Sequence, residues 1–139
     1  MEGLPAEFYR LVESCGRNTQ TINDYLNAMR NEITVSINYK KITIKALVYL
    51  SKFHLNKKFK QMQKNDILAF LNSKRKTEIA DPLHSWIASY NLYVIILTRF
   101  FKWLYHPRLP AKERPKPPSF EISRLRRKEQ SVYKPTDLW

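Results

Sequence analysis

Apolar residues recur along much of the chain at the spacing of helices. Ile22, Tyr25, Leu26, Met29 and Ile33 fall on one stripe, which predicts an amphipathic helix from Thr21, where Thr21-x-x-Asp24 resembles a capping box. Thr34-Val35-Ser36 interrupts the stripe, and Ser36 is a good N-cap for a second helix running to about His54. A third is expected over roughly 65–76, burying Ile67, Phe70 and Leu71. Asp81-Pro82 is a stop, and a fourth helix should run from about Leu83 to Tyr105. That last helix is apolar almost all round, with Trp86, Ile87, Tyr90, Tyr93, Val94, Ile96, Leu97, Phe100, Phe101, Trp103 and Leu104. It belongs in the middle of a bundle. Ser89, Asn91, Arg99 and Lys102 interrupt it, which favours a buried helix over a membrane span.

Glycine and proline set the limits of this unit. The two glycines, Gly3 and Gly16, both precede the first stripe, so the middle of the chain lacks the residue that tight hairpins depend on. Prolines are absent between Pro5 and Pro82, then cluster as Pro107, Pro110, Pro115, Pro117 and Pro118. Such a cluster reads as an extended, semi-rigid linker. The expected organisation is therefore an N-terminal arm (1–20), a helical domain (21–106) and a proline-rich basic linker (107–139).

Charge adds a partner class. The chain carries 25 Lys+Arg against 12 Asp+Glu, a net charge of +13, with a pI near 10.0, and such an excess points to a polyanion. Between Glu32 and Asp66 there is no acid but eight lysines: Lys40, Lys41, Lys45, Lys52, Lys57, Lys58, Lys60 and Lys64. On the second helix, Asn38, Lys41, Lys45, Tyr49 and Lys52 fall within an arc of roughly 80°. Ile42, Ala46, Leu50 and Phe53 flank it on one side, and Ile37, Ile44, Leu47 and Val48 on the other. A strip of this kind suits a DNA groove, its lysines neutralising phosphates and Asn38 pairing with an adenine edge. The plainer alternative is the solvent face of a core helix. Such a face usually intersperses Glu with Lys, and here acids are missing.

The order of these segments carries a resemblance. Thr21 to Phe53 reads TINDYLNAMRNEITVSINYKKITIKALVYLSKF, and Asp66-Ile67-Leu68-Ala69-Phe70-Leu71 follows. Ser89-Tyr90-Asn91-Leu92 then leads into Leu97-x-x-Phe100-Phe101-x-Trp103-Leu104. In that order the chain resembles the N-terminal core-binding domain of tyrosine recombinases, of the phage-integrase and Xer type, the archaeal branch in particular. The resemblance implies an all-α, four-to-five-helix orthogonal bundle of the SAM-like kind, with an extended basic C-terminal linker. It implies sequence-specific binding of double-stranded DNA, a recombination half-site, with protomer–protomer contacts on the DNA. By position, Ser36, Asn38, Tyr39, Lys40, Lys41 and Lys45, with Lys52 further along the strip, match the family's first DNA-facing segment. Ser85, Ser89 and Asn91 match its second, and Arg124, Arg126, Arg127 and Lys128 would lie in its interdomain linker. Ser131 to Trp139 would lead into the family's catalytic domain.

The family's chemistry is not carried here. Its catalytic set includes a His-x-x-Arg, whereas His54, His84 and His106 are followed at that offset by Lys57, Ile87 and Leu109. No catalytic residue is therefore expected in this chain. Tyr133, with no base or arginine pair around it, reads as a packing residue rather than a nucleophile. The histidines and the single Cys15 lack zinc-ligand spacing, so no metal or other cofactor is expected. Nor is a membrane or a small-molecule substrate. One cysteine and no signal-peptide pattern suggest a cytoplasmic chain. A stand-alone basic RNA- or DNA-binding protein outside recombination is the alternative reading.

Overall fold

The computed structural model describes residues 4–32, 36–77, 79–117, 122 and 125. Among them there are five α-helices and no strand: α1 (Ala6–Glu13), α2 (Thr19–Glu32), α3 (Ile37–Phe53), α4 (Lys64–Asn72) and α5 (Trp86–Tyr105). The protein is an all-α bundle. α5 packs against α2, α3 and α4, while α1 packs against α2 and α3. Nine of its side chains are buried: Trp86, Ile87, Tyr90, Val94, Ile96, Leu97, Phe100, Phe101 and Leu104. At roughly 1.5–3 kcal/mol for each large apolar side chain, this helix anchors the core. Tyr25 of α2 meets Phe100 edge-on with ring centres 5.1 Å apart, and Phe70 of α4 meets Tyr93 at 6.1 Å.

The described segments before α2 and after α5 depart from expectation. Where an arm was expected, residues 4–18 carry α1 and a single 3-10 turn, Gly16–Asn18. Phe8 and Val12, on one face of α1, enter the core together with Leu4 before the helix and Cys15 after it. The turn begins at Gly16, whose φ of +54° lies in the left-handed region that glycine enters freely. It delivers Asn18, 1 % exposed, into a polar cluster. The Asn18 amide donates to Ser51 Oγ and to the Lys57 carbonyl, each at 2.8 Å, and its Oδ1 accepts from the Phe59 N–H at 3.2 Å. Ser51 in turn donates to Asn56 Oδ1 at 2.7 Å. One buried side chain thus ties the N-terminal turn to the loop after α3.

The described part of the proline-rich segment, 107–117 with Ile122 and Leu125, is attached to the bundle. Arg114, buried despite its charge, donates from Nε to the His106 carbonyl at 2.9 Å and from Nη2 to the Pro107 carbonyl at 3.3 Å. Pro117 is buried, Ile122 is 6 % exposed and Leu125 packs against the core. Asn91 of α5 grips the backbone of Leu125 with both amide atoms. Nδ2 donates to its carbonyl and Oδ1 accepts from its N–H, both at 2.7 Å. Prolines cannot sustain a helix, yet these anchors hold the segment against the bundle.

Helix ends differ by a few residues for local reasons. α4 stops at Asn72, four residues before the expected end, because Ser73 turns back on the Phe70 carbonyl. α5 starts at Trp86 because Asp81 caps it: its carboxylate accepts from the Trp86 N–H at 2.8 Å and from the Ser85 hydroxyl at 2.8 and 2.9 Å. His84, at φ +54°, turns the chain into that cap. Thr21 is an interior residue of α2, not its cap.

Candidate nucleic-acid interface

α3 is the element that presents a basic surface. Ser36 caps it, its hydroxyl oxygen accepting from the Tyr39 N–H at 3.1 Å. Seven of its residues are buried: Thr43, Ile44, Ala46, Leu47, Val48, Leu50 and Ser51. Asn38, Lys45, Tyr49 and Lys52 are exposed, and Lys41 is half-buried. The strip therefore faces outward along a helix whose opposite side is packed. Tyr39 and Lys40 are half-buried in the first turn, and Lys40 projects from the far side of that turn relative to Asn38. Phe53, expected on an apolar flank, is 45 % exposed, and Ile37 is exposed as well.

Neighbouring elements border the strip with more aromatic–cation contacts. On the α1 side, the Lys41 and Lys45 ammoniums each lie 5.9 Å from the centre of the Phe8 ring. The aromatic face attracts these ammoniums without neutralising their charge. Arg99 of α5 donates from Nη1 to the Tyr39 hydroxyl at 2.7 Å, its guanidinium 5.7 Å from that ring. After α4, Lys74 lies among three rings, at 5.2 Å from Tyr49, 5.1 Å from Phe70 and 5.8 Å from Tyr93. Arg75 follows, 5.4 Å from the Trp86 ring. Arg99 and Lys74 were not among the residues expected from sequence. The run Lys74-Arg75-Lys76 was a visible signal; the pairing of Arg99 with Tyr39 crosses sixty residues and had none.

Among the described residues no carboxylate pairs with these bases. Between described residues one ion pair forms, Lys57 Nζ to Asp66 Oδ2 at 2.9 Å. The Gln63 N–H and Lys57 together hold the Asp66 carboxyl below its usual range. Lys41, Lys45 and Lys52 have no carboxylate partner there, so a phosphate approaching them displaces only water and counterions.

The start of α5 is organised differently, because two of its expected contact residues, Ser85 and Asn91, take partners within the fold. Ser85 is committed to Asp81. Burial pushes the Asp81 carboxyl up, but the Trp86 N–H and the Ser85 hydroxyl outweigh it and hold the group below its usual range. A carboxylate thus already sits at the positive end of the helix, where a phosphate would have to bind. Asn91 has both amide atoms engaged on the Leu125 backbone, with one N–H and one lone pair remaining. Ser89 is exposed. Arg124, Arg126, Arg127 and Lys128 lie outside the described residues.

Elsewhere, Cys15 is buried with its thiol against the Leu11 carbonyl at 3.5 Å, and burial raises its pKa. Among the described residues there is no cluster of three or more His, Cys, Asp or Glu that could hold a metal, and no helix long and apolar enough to cross a membrane. Compared with protein-family models, with curated proteins and with solved structures, the chain finds no match.

Proposed function

We propose that the chain is a double-stranded-DNA-binding module that reads DNA with α3, in the manner of a tyrosine-recombinase core-binding domain. The observation that carries this reading is the acid-free strip Asn38–Lys41–Lys45–Tyr49–Lys52 on the outer side of a helix whose inner side, Thr43, Ile44, Ala46, Leu47, Val48, Leu50 and Ser51, is buried. α3 has 17 residues, about 25 Å of helix, and a helix with its side chains matches the width of the B-DNA major groove. Lys41 and Lys45 ammoniums drawn to the Phe8 ring, and Tyr39 held by Arg99, favour one shape of the surface before binding, which lowers the ordering entropy lost on contact. The lysines would neutralise phosphates flanking the groove. Asn38, in the first turn, is the residue with donor and acceptor paired for an adenine edge.

The recombinase setting rests on the order of segments in the sequence. Within it this chain would bind and position DNA, while strand cleavage would need residues that this chain does not carry. The test compares duplex DNA with duplex RNA of the same sequence, with Asn38→Ala beside the wild type. B-form DNA should bind and A-form RNA should not, since its major groove is too narrow for a helix. On the preferred site Asn38→Ala should cost about 1–3 kcal/mol, with little change on unrelated DNA. Equal affinity for both duplexes would replace this reading with that of a general basic RNA- or DNA-binding protein.

A further inference from the structure

At the end of the bundle where α5 stops and α4 begins, a second basic feature lies apart from the α3 strip. An open groove of about 900 Å3 runs between the Lys60–Lys64 segment, the last turn of α5 and the returning Pro115–Pro117 segment. Met62, 2 % exposed, and the buried Pro117 are its apolar residues of least exposure. The Tyr105 ring lines it too, its hydroxyl donating to the Lys60 carbonyl at 3.1 Å. Lys60 and Lys64, at the two ends of one segment, and Lys116 on the returning segment line it as well. Among the described residues no carboxylate lines the groove, and none of these lysines forms an ion pair. Asp66, two residues after Lys64, is committed to Lys57 and the Gln63 N–H.

Three uncompensated ammoniums around a largely apolar, partly aromatic groove call for a ligand with a clustered negative charge and a flat body. Inorganic anions lack the body, and fatty acids carry a single charge. The volume lies within the roughly 300–1,000 Å3 typical of small-molecule sites. We propose that the groove binds a nucleoside polyphosphate, its phosphates on Lys60, Lys64 and Lys116 and its base against Tyr105 and the proline wall. Charge and flat apolar surface are the two features that this ligand class combines. The site is independent of the α3 strip, and it departs from the sequence expectation of no small-molecule partner.

Calorimetry with ATP, adenosine, tripolyphosphate and a 5′-phosphorylated single-stranded oligonucleotide tests it on the full chain, with melting curves for every variant. ATP should bind at one site, more tightly than tripolyphosphate or adenosine. Lys60→Ala, Lys64→Ala and Lys116→Ala, all at exposed positions, should each weaken ATP by about fivefold, the scale of one exposed charge contact. Tyr105→Ala should weaken ATP and leave tripolyphosphate unchanged. Lys45→Ala should not affect ATP, whatever it does to DNA binding. Absence of ATP binding would overturn the proposal. So would tripolyphosphate binding as well as ATP, or ATP binding lost in Lys45→Ala but kept in Lys64→Ala. An oligonucleotide that binds this groove while free ATP does not would assign it to strand ends instead.

Discussion

The outer face of α3 and the first turns of α5 carry similar side chains and opposite commitments. On α3, Lys45 and Lys52 are exposed and have no carboxylate partner among the described residues. On α5, Ser85 is bound to Asp81 and Asn91 to the backbone of Leu125, so that polar chemistry serves the fold. Serine, asparagine and charge in a sequence mark a site only when the folded chain leaves them unpartnered. Substitutions on the α3 face should therefore change binding and spare stability, and those at the start of α5 should do the reverse.

The largest expected effect lies beneath both regions. Leu47 is fully buried on the inner side of α3, and Leu47→Ala should destabilise the bundle by about 2–5 kcal/mol through the cavity it leaves. Denaturant melts measure this. DNA affinity per folded molecule should hold, and a selective loss of affinity at full folding would mean that the inner face contributes to binding. Phe53→Ala, at a position nearly half exposed, should lose much less than a buried phenylalanine would.

Next comes the clamp on the returning segment. Asn91→Ala removes two hydrogen bonds to Leu125 and should lower stability by about 1–3 kcal/mol. It should also raise amide exchange at Leu125. If Asn91→Ala instead keeps its stability and weakens binding on one DNA sequence alone, Asn91 is a base contact and the contrast between the two helices fails.

A smaller effect is expected with pH. The Asp81 and Asp66 carboxyls are both held below the usual 3.8. A carboxyl depressed by folding contributes stability that is present above its unfolded pKa and lost as pH falls through its folded value. Stability should accordingly fall below about pH 4, and Asp81→Asn should flatten that acid limb. An unchanged limb in the variant would remove Asp81 from the cap of α5.

The long helices were legible because their apolar stripes extend over several turns. α3 and α5 appear within one to three residues of the expected bounds, and the burial of Ile67, Phe70 and Leu71 follows the same logic. α1 was missed because its stripe of Phe8 and Val12 is only two turns long and sits between Pro5 and Gly16. The docked segment was missed because its anchors, Arg114 on His106 and Asn91 on Leu125, are contacts that no local period encodes. The strip on α3 follows from helix geometry alone. Its borders do not, since Phe8, Lys74 and Arg99 arrive from other elements.

The central claim is that the ammoniums on the outer face of α3 hold DNA phosphates. Duplex DNA titrated across a range of salt concentrations tests it most directly, with the wild type beside the Lys41→Ala/Lys45→Ala double variant. With about five phosphates neutralised, the wild-type log K should fall with log salt at a slope of about −4 to −5, and the double variant should be shallower by about two units. Its melting midpoint should stay close to that of the wild type, because neither ammonium is in the core. Superimposable salt curves for the two proteins would contradict the account and move the DNA contact off α3.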